Sequence, residues 1–198
     1  MQRYDRSRMC CWFLLHVTIT GSPASAQPSV AAEAERAPSV SVTADPTGDG
    51  GRIQAQIRIA ARPEMVWAVM MDCATSLRIV AGLKDCKILK RDPAGKWDIR
   101  EHTIKRALLL PTVRSVFRSE YEPVSVIRFS RVEGDLRKLE GSWRLVPRNG
   151  GAATDVVYDA VVDPGVPLPG MLLRSAIKSD VADVLGALQR ESEVRNGR

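Results

Sequence analysis

The chain has 198 residues, enough for one ordinary domain and too few for two. Its residues are 44% hydrophobic, 26% charged and 5% aromatic, the balance of a soluble, globular protein. The formal net charge of +6 includes three arginines in a segment expected to be removed.

That segment opens the chain. Arg3, Arg6 and Arg8 stand against a single Asp5, a short apolar run follows from Met9 to Val17, and Ala24-Ser25-Ala26 supplies an A-x-A exit. This order predicts a secretory signal peptide over residues 1–26, and its apolar run is too short to span a bilayer. The product is therefore expected to be periplasmic or secreted. The alternative is a basic leader on a cytoplasmic protein, since His16, Thr18 and Thr20 dilute the apolar run. No cysteine sits in a lipobox-like context before Gln27. Cleavage after Ala26 lowers the net charge from +6 to +4, leaves His102 as the only histidine, and leaves Cys73 and Cys86 as the only cysteines.

Residues 27–50 read as a linker, because the Ala, Pro, Ser and Glu of its first part show no apolar period. Val40 and Val42 alternate with Ser39, Ser41 and Thr43, which allows a short strand returning through the turn residues 45–50. The domain proper is expected over 51–191, with 192–198 as a tail.

Ile53, Ala55, Ile57 and Ile59 alternate as a strand, then Pro63 opens a short apolar helix carrying Val66, Trp67, Met70 and Met71. A second half-helix is expected around Leu77 to Ala81. Turn residues at 92–95, 110–111, 122–123, 133–135 and 149–151 then separate six strand-like runs, which favours an antiparallel meander. Near the C-terminus Leu173, Ile177, Val181, Val184 and Leu188 form a helical stripe. One strand, two short helices, six strands and a long helix make an α+β layer architecture.

The wording IRIAARPEMVWAVMMDCATSLRIVAGLKDCKIL, with Pro63 and Trp67, and the EGSWRL block around Trp143 resemble the START-like superfamily, which includes polyketide cyclase/dehydrases and coenzyme Q-binding proteins. The resemblance covers about residues 50 to 191. It implies a helix-grip fold: a curved antiparallel sheet of about seven strands around the long C-terminal helix, with an apolar ligand held between them. Where many relatives carry a tyrosine after the aspartate of the first helix, this chain has Cys73. With export and only two cysteines left, that departure leads to an expected Cys73–Cys86 disulfide, Cys73 ending the first helix and Cys86 beginning the next strand. The alternative is two reduced, buried cysteines acting as small hydrophobes.

Alternation assigns faces to the strands. One face collects Ile53, Ala55, Ile57 and Ile59, then Trp97 and Ile99, Val113, Phe117 and Tyr121, Ile127 and Phe129, Leu139, Trp143 and Leu145, and Val156, Tyr158 and Ala160. The opposite face collects charges, among them Asp98, Arg100, Arg114, Arg118, Arg144, Asp155 and Asp159, with His102 beside them. Opposite signs interleave there, which favours cross-strand pairs on a solvated surface over a nucleic-acid site. Extending the alternation places Glu101, Thr103, Ser115, Ser119 and Arg131 on the apolar face. A ligand cavity accommodates such polar groups; so do open strand ends, a bulge, or a Glu101–Arg131 pair.

Phe117, Tyr121, Phe129, Trp143 and Tyr158 are thus expected to line a cavity from the sheet, and Met171, Leu172 and Ala176 from the helix. Glu101 and Arg131 are the candidate polar contacts, and residues 164–170 the expected mobile rim. One histidine and two cysteines thirteen positions apart make no zinc constellation. No G-x-S-x-G elbow or dinucleotide fingerprint occurs, so no cofactor, metal or catalytic set is expected. The leading expectation is a monomer that binds or carries a lipid, quinone or polyketide-like molecule, with at most transient membrane contact. A cyclase or dehydratase using Glu101, Tyr121 or Arg131, and a protein-interaction module, are the alternatives.

Overall fold

The computed structural model describes residues 37–46, 50–105, 112–165 and 169–197. The expected signal peptide and residues 106–111 and 166–168, the last within the expected rim, lie outside the described residues. Strand β1 (Ser39–Ala44) and strand β2 (Gly51–Ile59) form the hairpin that Val40 and Val42 allowed. In β2 every second residue from Gly51 to Ile59 is buried, which is the alternation of a half-buried strand.

Helix α1 (Pro63–Met71) starts on Pro63, whose fixed φ and missing N–H suit a first helical position. It buries Val66 and Val69. Asp72 ends it and at once caps helix α2 (Cys73–Ile79), accepting from the Ala74 N–H at 3.0 Å and the Thr75 hydroxyl at 2.5 Å. Cys73 therefore begins the second helix rather than ending the first. Six strands follow: β3 (Leu83–Arg91), β4 (Trp97–Ile104), β5 (Val113–Glu122), β6 (Val126–Gly134), β7 (Lys138–Arg148) and β8 (Ala153–Asp163). Cys86 is bonded to Cys73 and lies inside β3, three residues after its start.

All neighbours in the sheet are antiparallel, in the order β1-β2-β8-β7-β6-β5-β4-β3. The sheet has eight strands because β1 extends it beyond the expected seven. Helix α3 (Gly170–Asn196) packs on β1, β2, α1 and α2. It runs past residue 191, where the tail was expected to start, and buries Ser192 completely. Leu185 and Leu188 join Ile53, Ile59, Val66 and Val156 in the core. Each such fully buried aliphatic side chain contributes about 1.5–3 kcal/mol.

Strand β4 departs from the expected faces. Asp98, Arg100 and His102 pair in register with Ser119, Phe117 and Ser115, so they share the inner face with them. Trp97 and Ile99 point to the outside, where the Arg118 guanidinium lies 4.2 Å and the Lys90 ammonium 5.7 Å from the Trp97 ring. The inversion is tolerable because Asp98 and Arg100 satisfy each other, while long cationic stems shield Trp97.

Candidate ligand cavity

A cavity of about 270 Å³ lies between the sheet, the two short helices and α3. Met70 and Met71 enter it from α1, Ile79 and Val80 from the end of α2, and Val184 and Leu188 from α3. From the sheet, Phe117, Tyr121, Phe129, Trp143 and Tyr158 all face it, as alternation placed them. Three of these form one aromatic wall: Trp143 stacks on Tyr158 at 4.0 Å between centroids, and Phe129 lies 6.1 Å from Tyr158. Gly141 stands beside this wall. It sits between Phe129 and Ala160 in the register, and a Cβ there would overlap the Asp159 carbonyl and approach the Ala160 Cβ to 2.7 Å.

The expected helix contacts belong elsewhere. Met171 is 74% exposed and Leu172 57% exposed, and Ala176 is exposed too. The stripe of α3 that meets the cavity lies two to four turns further on, at Val184 and Leu188. Glu101 and Arg131 are also absent from the lining. Glu101 points outward and accepts from the Arg114 Nε at 2.7 Å, because β4 carries the opposite face. Arg131 caps the β6–β7 connection, donating to the carbonyls of Leu136 and Gly134. A register shift between Val116 and Phe117 against β6 accompanies this local departure.

The polar lining combines Ser115 and Ser119, placed inside by alternation, with Arg100 and His102, assigned to the other face. Arg100 Nε lies 3.0 Å from both oxygens of Asp98, and the pair is almost fully buried. Arg100 Nη2 also donates to the Tyr121 hydroxyl at 3.2 Å and to the Met71 carbonyl at 3.3 Å, a carbonyl freed by the end of α1. Burial above all pushes the Tyr121 hydroxyl up to about 12, so it stays protonated. Burial likewise raises the Tyr158 phenol. His102 stands edge-on to Phe117 at 4.9 Å, and burial, helped by the nearby Arg100 charge, lowers its imidazole to about 4. Near neutral pH the cavity therefore holds one internally balanced ion pair and otherwise neutral groups.

The one-strand pattern Asp98-x-Arg100-x-His102, adjacent to a strand carrying Ser115 and Ser119 two turns of pleat apart, was the available sequence signal for this strip. It reads as an outer face only if apolar Trp97 and Ile99 are taken to point inward.

Helix α2 forms one side of the cavity and is held at several points. The Cys73–Cys86 bond ties its start to β3. Arg195 of α3 donates to Thr75 and to Asp72, the latter at 3.3 Å, and Arg78 pairs with Glu191 at 2.6 Å. Among the described residues, no helix is long and apolar enough to cross a membrane.

This grip of a long helix by an antiparallel sheet, with an apolar cavity between, defines a START-like protein. The profile of the family described as "Polyketide cyclase / dehydrase and lipid transport" matches residues 59–189, and the chain belongs to that family. No curated protein matches it in sequence. Among solved structures, a STAR-related lipid transfer protein from Xanthomonas axonopodis is 17% identical with a TM-score of 0.67, over 84% of this chain and 96% of that one. The Zhui aromatase/cyclase from Streptomyces sp. R1128 is 18% identical with a TM-score of 0.59, over 73% and 94%. The lipid transfer and protein localization domain of human StarD13 is 10% identical with a TM-score of 0.64, over 80% and 92%. At these identities the likeness is one of fold.

Proposed function

We propose that this is an exported START-like protein that binds or carries a hydrophobic small molecule, a lipid, quinone or polyketide-like compound, in the cavity between sheet and C-terminal helix. The observation that carries the reading is the lining itself: an aromatic wall of Phe129, Trp143 and Tyr158 faces aliphatic side chains of all three helices across about 270 Å³. Few, fixed polar groups in a mainly apolar concavity suit orientation of a small ligand. Solved relatives in fold include a lipid transfer protein and an aromatase/cyclase, so both carriage and cyclase chemistry occur on this scaffold.

Binding is favoured over acid–base catalysis by the state of the cavity groups. Tyr121 near 12 and His102 near 4 are both displaced away from neutrality, whereas efficient proton transfer uses groups poised close to the working pH. Export is supported by the leader pattern and by the Cys73–Cys86 bond, since disulfides persist in oxidising compartments. Native mass spectrometry of protein purified from its own host tests the binding reading: a co-purifying apolar molecule is expected. Turnover of a polyketide-like substrate by protein that retains no ligand would overturn it. N-terminal sequencing of the same preparation should begin at Gln27, and an intact Met1 would reject export.

A further inference from the structure

Two polar atoms inside the cavity have no hydrogen-bond partner among the described residues: His102 Nε2 and Ser115 Oγ, both buried. They are not scattered. Residues 102 and 115 are opposed across β4 and β5, so their side chains leave the sheet side by side on the same face. Ser115 is only 4% exposed and cannot turn to solvent. The third unpartnered atom, Ser192 Oγ, does not belong to the cavity lining. Buried polar groups in folded proteins are nearly always paired, so two unpaired neighbours opening into an apolar cavity point to a partner supplied from outside the chain.

We propose that the cavity selects an uncharged ligand and grips its hydroxyl or carbonyl oxygen between His102 and Ser115, leaving the apolar body against the Trp143–Tyr158 wall. A ligand hydroxyl donates to an unprotonated imidazole nitrogen and accepts from the serine hydroxyl. A ligand carbonyl accepts from both, with the other imidazole tautomer. Selection against anions follows from the rest of the lining. The cation in that lining among the described residues, Arg100, holds both oxygens of Asp98 with its Nε and donates through Nη2 to Tyr121 and Met71. A carboxylate or phosphate entering the cavity would give up its hydration to a mainly apolar lining whose cation, Arg100, is already neutralised by Asp98. The imidazole supplies none either, being neutral at physiological pH.

This rests on the reading that the cavity holds a small molecule, and the test separates the two. Three flat probes that match the aromatic wall and differ in one substituent are suitable: naphthalene, 2-naphthol and 2-naphthoate, followed by probe fluorescence at pH 7.5 with the purified full-length protein, Ser115→Ala and His102→Phe. Each substitution should weaken 2-naphthol about 3- to 10-fold, the range of one neutral hydrogen bond, and leave naphthalene within about twofold. The wild type should take 2-naphthoate more weakly than 2-naphthol. Unchanged 2-naphthol affinity in both variants, or 2-naphthoate as the tightest ligand, would overturn the proposed oxygen site while naphthalene binding keeps the cavity reading intact. Failure of the wild type to bind any of the three would overturn both.

Discussion

Arg100 and Asp98 lie two residues apart on β4 and pair inside the cavity wall, with the guanidinium Nε 3.0 Å from each carboxylate oxygen. Asp98 is completely buried and Arg100 nearly so. Such a pair breaks roughly even against an apolar replacement, but either charge alone is costly. Asp98→Ala should therefore destabilise the protein by about 3–5 kcal/mol in urea denaturation. Adding Arg100→Met should recover most of that loss, because the stranded charge goes with it. A double variant as unstable as Asp98→Ala would show that the pair contributes beyond its own neutralisation.

His102 makes stability depend on acid. Its folded pKa lies near 4, below the ordinary 6.5, so the unfolded chain binds a proton before the folded one does. Stability should be full above pH 6.5, decline as pH falls towards 4, and level off below, with a total loss on the order of 3 kcal/mol from this group. His102→Phe should flatten that decline between pH 6.5 and 4 in equilibrium denaturation. An identical slope in the variant would assign the acid sensitivity to other groups.

The Cys73–Cys86 bond closes a loop across a sequence separation of 13 and holds α2 at the cavity side. On the chain-entropy model its removal by Cys73→Ser with Cys86→Ser should cost about 3 kcal/mol. Because α2 also carries Ile79 and Val80 into the cavity, probe affinity should fall with stability. Thiol titration of denatured, unreduced protein should find neither cysteine free.

Val184 offers the direct test of the space. Val184→Trp projects a large ring into the cavity from α3 and should abolish binding of 2-naphthol with a stability change below about 1.5 kcal/mol. Ala176→Trp, at an exposed position two turns earlier, should leave both binding and stability unchanged. A loss of about 3 kcal/mol or more in Val184→Trp would mean that this region is close-packed.

Close approach at Gly141 constrains how tightly β7 and β8 pack beside the wall. Gly141→Ala forces a methyl group against the Asp159 carbonyl and Ala160, so it should cost about 1–3 kcal/mol through overpacking. Thermal unfolding followed by circular dichroism checks the size of the effect.

Much of this protein is written locally. The strict alternation in β2, the proline at the start of α1, the turn residues between strands and the helical stripe of α3 each follow from short-range sterics and from which side of an element is apolar. They were sufficient for the α+β architecture, and with the Pro63, Trp67 and Trp143 blocks they led to the START-like family. Alternation also placed Phe117, Tyr121, Phe129, Trp143 and Tyr158 on the cavity face, because the aromatic residues of those strands all fall on one side.

Tertiary structure alone decided the polar character of the site. On β4 Trp97 and Ile99 point outward, and a strand with two plausible faces is resolved only by its register against β5, where Phe117 opposes Arg100 and Ser115 opposes His102. Once that register is set, Asp98 can neutralise Arg100 in place, and Glu101 is free to meet Arg114 outside. The part of α3 that meets the cavity was undecidable for a similar reason. Met171, Leu172 and Ala176 lie off the helical stripe and fell in solvent, while the stripe packs on the core at Leu173 and Ile177 and closes the cavity only at Val184 and Leu188, a division that the stripe itself does not carry.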